Sequence, residues 1–258
     1  MMPIFFIGHG SPMNAILDTE FSRSWSELKE TIPKPKAILC ISAHWLTHQT
    51  SITSNEFPPT IHDFGGFPKE LFEVEYPVPG DKEYSLKIAD DLKSFQCKPD
   101  DSWGLDHGTW SILKHIYPKA EIPVIQLSIK NTTDGRYHFE LGKALHYLRE
   151  QNVLILGSGN LIHNLGLVDW SKMHHPNFGY DWAIRANELF KSLILSREEE
   201  KLINYQSLGK DANLAMPTPE HFLPFLYILG ASTVDDPVQI FNDQLVMGSL
   251  NMTSVRYG

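Results

Sequence analysis

Ala37-Ile38-Leu39-Cys40-Ile41-Ser42 runs on into Ala43-His44-Trp45, and the fold turns on how this stretch is read. It has strand length, and its apolar residues are continuous rather than alternating with polar ones. Such a strand is buried on both faces, which requires a sheet covered by helices on each side. The same pattern recurs on either side of it. Ile4-Phe5-Phe6-Ile7 is broken by Gly8-His9-Gly10-Ser11-Pro12. Ile122 to Ser128, led by Pro123, reads as a third strand. Val153 to Leu156 reads as a fourth, ending in Gly157-Ser158-Gly159-Asn160-Leu161-Ile162-His163-Asn164.

Helical spacing fills the intervals. Glu20 to Thr31 places Phe21, Trp25 and Leu28 on one side, and Arg136 to Gln151 does the same with Leu141, Leu145 and Leu148. Tyr84–Phe95, Trp110–Ile116, Tyr180–Leu195 and Glu198–Leu208 complete the set. His221 to Leu229 is apolar enough for a buried helix, with Thr218 expected as its cap and Pro219 as its first residue. The tail from Gln244 to Val255 suggests a β-hairpin with arms Val246–Leu250 and Met252–Val255. Strands alternating with helices predict an α/β single-domain sandwich over residues 1–258, with a mostly parallel central sheet, helices on both faces and C-terminal antiparallel strands.

Composition narrows the function. The 258 residues carry a formal net charge of -9, against the basic stripe that a phosphate-backbone binder needs, so no nucleic-acid partner is expected. Cys40 lies in the apolar run quoted above, and Cys97 is the only other cysteine. A disulfide scaffold is not expected and a reducing cytoplasm is the natural compartment. The apolar start of the chain lacks a basic leader, and no stretch approaches the roughly 20 apolar residues of a membrane span. With no heptad or exposed apolar stripe, a monomer or small homo-oligomer is expected.

The distinctive count is 12 histidines. In open α/β sheets ligands bind at the carboxyl ends of strands. Three strands run there into histidines, namely His9, His44 and His163. His221 follows a proline-rich turn at a helix start, and His107 lies in a loop between Asp106 and Gly108. Taken singly, each reads as an ordinary turn or strand-end residue. Taken together, they recur at one fold-level position with glycines opening the backbone around them. His48, His62, His115, His138, His146, His174 and His175 lack such settings and are read as structural. Neutral imidazoles suit zinc, iron or copper and leave coordination positions open. No cysteine lies near these motifs, His-Glu-x-x-His is absent, and Gly157-Ser158-Gly159 is neither a nucleophile elbow nor a Walker loop. The stretch from Asn55 to Gly80 is too long and too aromatic for a plain connector and reads as a lid or binding loop.

Six motifs occur in order: Gly8-His9-Gly10-Ser11-Pro12, Ser42-Ala43-His44-Trp45, Asp63-Phe64-Gly65-Gly66-Phe67-Pro68, Gly104-Leu105-Asp106-His107-Gly108, Gly157-Ser158-Gly159 with His163-Asn164, and Pro217-Thr218-Pro219-Glu220-His221. Over nearly the whole chain they resemble the 4,5-DOPA extradiol dioxygenase branch of the class III (LigB-type) ring-cleavage dioxygenases. That resemblance implies an α/β fold around one non-haem metal, with Fe(II) as the native ion and Zn(II) as a species carried by purified protein. His9, His44 and His221 match the family's metal positions. His163 matches a position close to the metal, as a further ligand or as an acid–base group, and His107 a pocket histidine that moves protons. Elsewhere in the superfamily the third ligand is a glutamate, and Glu220 adjoins His221. Phe64, Phe67 and Asp106 are expected against the substrate, a small aromatic diol that reacts with O2. Two rival readings use the same residues: a zinc hydrolase that activates water, and a non-enzymatic metal-binding relative.

Overall fold

The computed structural model describes residues 1–173 and 175–258, so the expectation for His174 lies outside the described residues. Its frame is an eight-stranded sheet. The strands are β1 (Ile4–Gly8), β2 (Ala37–Thr47), β3 (Ser51–Thr53), β4 (Lys98–Asp100), β5 (Val124–Lys130), β6 (Val153–Gly159), β7 (Val238–Phe241) and β10 (Ser254–Tyr257), in the order β4-β3-β5-β2-β6-β1-β10-β7. The central run β5-β2-β6-β1 is parallel, while β10 and β7 add antiparallel strands beyond β1. The short strands β8 (Leu245–Val246) and β9 (Leu250–Asn251) pair separately.

The continuous apolar runs serve two cores. Ile4, Phe6, Leu39, Ile41 and Ile155 face one side, against helices Gly135–Leu145 and Leu223–Ala231. Phe5, Ile7, Ile38, Cys40 and Leu156 face the other, against helices Glu20–Leu28 and His107–Ile116. Successive strand residues point to opposite faces, so a strand covered twice must be apolar at every position. Each such side chain contributes roughly 1.5–3 kcal/mol on burial. Among the described residues no helix is long and apolar enough to cross a membrane.

Two glycines bring the last helix onto the end of β6. A Cβ on Gly157 would lie 2.8 Å from the Pro224 carbonyl oxygen, and one on Gly159 would lie 2.0 Å from that of His221. Without them the chain could not cross so closely, and His221 would stand away from the sheet. The contact is fastened by Asn160, whose backbone N–H donates to the His221 carbonyl at 2.9 Å.

Several local expectations need correction. β2 does not stop at Ser42 but continues to Thr47, with a register shift against β5 between Ile41 and Leu46, so His44 lies on an irregular strand segment rather than beyond its end. His107 is not a loop residue. It opens helix His107–Ile116, because the Asp106 carboxylate caps that helix by accepting from the Thr109 N–H. Helix Leu223–Ala231 starts after His221, and the Thr218 hydroxyl donates to Glu220 instead of capping it. The hairpin is shorter than expected. β8 and β9 form it, while residues after Met252 leave it to pair with β1, which would otherwise present an open edge. Helix Lys210–Ala215 and strands β3, β4 and β7 were not anticipated.

Candidate metal centre

The carboxyl ends of β1, β2 and β6 meet at one point, and five imidazoles converge there. The His9 and His44 Nε2 atoms are 3.1 Å apart. The rings of His9 and His107 lie 5.5 Å apart, His44 and His107 3.9 Å, and His9 and His221 5.3 Å. His163 stacks on His221 at 3.4 Å with 9° between the planes. Ligand atoms of His9, His44 and His107 lie within 4.8 Å of one another, as do those of His163, Glu220 and His221.

Hydrogen bonds fix how two of the rings point. The Ser158 hydroxyl donates to the Gly108 carbonyl at 2.6 Å, so its oxygen is left to accept from His9 Nδ1–H at 2.9 Å. That leaves His9 Nε2 bare and facing His44. Asp63 accepts from the His107 backbone N–H and from its Nδ1–H, both at 2.9 Å. The same carboxylate lies 3.4 Å from His44 Nδ1. His221 differs, since both of its ring nitrogens are buried and neither has a hydrogen-bond partner. Glu220 lies 3.6 Å from its Nδ1, beyond hydrogen-bond range.

Burial pushes the His9 and His221 pKa values well below the ordinary value, and neighbouring imidazoles add to the effect. His44 is pushed down to about 3 by burial and His107, against the opposing pull of Asp63. Burial takes His163 down to about 4, opposed by Glu220. For Asp63, burial acts upward, but the hydrogen bond and charge of His107, then His44, hold it below the usual carboxylate value. Neutral imidazoles with inward lone pairs, an unpartnered buried ring and adjacent carboxylates form a donor set that fits a divalent transition metal.

The family model described as the catalytic LigB subunit of aromatic ring-opening dioxygenase matches residues 3–256. The chain belongs to this family. The 4,5-DOPA dioxygenase extradiol of Escherichia coli (strain K12) is 42% identical over 261 residues, covering 100% of this chain and 95% of that protein. The protein of the same name from Beta vulgaris is 37% identical, covering 98% and 95%. A crystal structure of an uncharacterized protein from Escherichia coli K12 superposes with a TM-score of 0.86 at 38% identity over the whole of both chains. The chain is therefore an extradiol aromatic ring-opening dioxygenase, and LigB-type enzymes of this kind use a metal.

Within this dioxygenase, His9, His44, His107, His163 and His221 share one cluster. Phe64 lies edge-on to His107 at 5.5 Å and to Phe67 at 5.4 Å, so the aromatic loop borders the cluster. Asp106, expected against the substrate, is placed elsewhere. It has no exposed surface, and its carboxylate accepts from Ser42 Oγ, from the Thr109 N–H and from Gln126 Nε2. Burial and the Asp63 charge raise its pKa to about 6. Asp106 thus supports the start of the helix that carries His107. Asp63 and Ser158 were missed as site residues. Both lie inside motifs already singled out, but a pattern read for ligands passes over the groups that hold ligands.

Proposed function

We propose that this dioxygenase opens a catechol-type, DOPA-like ring at one Fe(II) ion held by His9, His44 and His221, with His163 and His107 handling protons. The observation that carries this reading is the convergence of five imidazoles whose one fully unpartnered, buried member is His221. A metal lies close to the plane of an imidazole that binds it. Two rings stacked face to face at 3.4 Å cannot both direct their planes at one ion. The stacking therefore favours His221 as ligand and His163 as acid–base group. Glu220 lies 3.6 Å from His221 Nδ1 without a hydrogen bond, and the ligand role is assigned to His221 rather than to Glu220.

When bound, the metal supplies the Lewis-acid and redox chemistry that lets dioxygen react with the diol. The chain's own residues do the rest. A catechol must lose protons as it enters, and His163, which burial keeps neutral, is the group proposed to accept one. His107, whose Nδ1–H is held by Asp63, has its Nε2 left to exchange a proton with the reacting oxygens. Phe64 and Phe67 cover the ring and limit water. Both atoms of O2 end in the ring-opened semialdehyde, so no external reductant is consumed. Zinc binds such a site more tightly than ferrous iron, so purified protein carries Zn(II) unless it is exchanged. The family match over residues 3–256 supports a single catalytic domain, and two free, buried cysteines suit a reducing cytoplasm.

The test is to load metal-free protein with Fe(II), add L-DOPA, and follow oxygen uptake together with the yellow semialdehyde. Uptake matched by yellow product supports the reading. No uptake with any catechol contradicts it.

A further inference from the structure

Asp63 meets two donors of the same residue with its two oxygens. Oδ1 accepts from the backbone N–H of His107, and Oδ2 accepts from the ring Nδ1–H, each at 2.9 Å. The side chain is only 15% exposed, and Oδ2 also lies 3.4 Å from His44 Nδ1. The backbone donor is fixed because His107 is the first residue of its helix. The ring donor is not fixed by anything else, since an imidazole can carry its proton on either nitrogen.

We infer that Asp63 is a positioning residue that locks His107 in the Nδ1–H tautomer, leaving its Nε2 bare as a proton acceptor. This rests on the ring-opening reading above for its link to turnover, but not for the tautomer itself. The geometry makes one substitution diagnostic. Asparagine has the shape of aspartate but only one acceptor oxygen. That oxygen stays on the backbone N–H, which cannot reverse its role. The amide NH2 then faces His107 Nδ1, and two donors cannot share a hydrogen bond. The ring answers by moving its proton to Nε2, which removes the acceptor from the cluster.

The test uses the full chain carrying Asp63→Asn, His107→Gln and both together. In metal-free protein, long-range ring 15N–1H correlations should report the Nδ1–H form of His107 in the parent and the Nε2–H form in Asp63→Asn. With Fe(II) saturating and a catechol substrate, Asp63→Asn should lower kcat by about 10- to 100-fold, the usual effect of losing an outer partner of a site histidine. The double variant should be no slower than His107→Gln alone, because the aspartate acts through that ring. An unchanged tautomer in Asp63→Asn overturns the inference, and so do losses that multiply in the double variant. If no variant and no parent protein turns over, the ring-opening reading fails, yet the tautomer result still decides the role of Asp63. Asp63→Glu separates this role from a fold defect: a folded variant that recovers the Nδ1–H signal supports the lock, and one that folds but shows Nε2–H contradicts it.

Discussion

The two ends of the same parallel strands hold opposite kinds of buried polar group. At the amino ends, Arg149 is 1% exposed, yet its guanidinium is nearly saturated: it donates to the Met2 and Ala231 carbonyls and to both oxygens of Asp236. At the carboxyl ends, His221 is also buried, and both of its ring nitrogens lack any partner. The first arrangement is complete without a ligand and ties the chain start to helix Tyr147–Glu150 and the loop that holds Asp236. The second pays for its burial only when something binds. Here the satisfied guanidinium marks a point where the fold is fastened, and the unpartnered imidazole of the histidine cluster marks a place prepared for a ligand.

That contrast can be broken most sharply by mutation. His221→Ala should abolish Fe(II)-dependent oxygen uptake and weaken metal binding by more than about 100-fold, beyond the loss expected for an outer-shell partner. Its unfolding midpoint in metal-free protein should barely move, and calorimetric metal titration beside urea denaturation checks both. Arg149→Met should do the reverse. It strands the Asp236 carboxylate and should lower stability by about 3 kcal/mol, while metal stoichiometry per folded molecule stays the same.

Acid should separate the two ends by window. Histidine in the unfolded chain titrates near 6.5, whereas folded His163 and His44 sit at about 4 and about 3. Between those values the unfolded chain binds more protons, so metal-free protein should lose stability as pH falls from 6.5. Asp236 behaves differently. Burial acts to raise it, but hydrogen bonds from Arg149 and Thr233 hold it below 3.8. Its contribution is complete above 3.8 and is lost only as pH falls further. Denaturation midpoints across this range should therefore show an earlier loss that His163→Gln reduces and Arg149→Met leaves in place. The smallest effect concerns the loop. Phe64→Ala should raise KM for a catechol by roughly fivefold, about 1 kcal/mol for a lost aromatic contact, with metal affinity unchanged.

The carboxyl end of this contrast is legible in the amino-acid sequence. Unbroken apolar runs such as Ile4–Ile7 and Ala37–Ser42 suggest strands covered on both faces, and their glycine-rich exits point to the end where the histidines gather. The amino end was invisible, because nothing in the local pattern around Arg149 names Asp236 some 87 positions later. The same limit hid Asp63, whose partner His107 is 44 positions away. Asp106 misled for the opposite reason. Its neighbour His107 belongs to the site, but the first turn of a helix sends adjacent side chains in different directions, one into the cluster and one back under the strands. The tail strand from Ser254 was misassigned to a hairpin because only the tertiary fold reveals that β1 has an edge to fill.

The central claim is that one ion sits among these histidines on His9, His44 and His221. A crystal grown with one equivalent of divalent metal, read by anomalous difference density, tests it directly. The account predicts a single peak about 2.0–2.2 Å from a nitrogen of each of those three residues, with His163 still stacked and outside bonding range. A peak bound by His163 and Glu220 without His9 and His44, or two separate peaks, would contradict it.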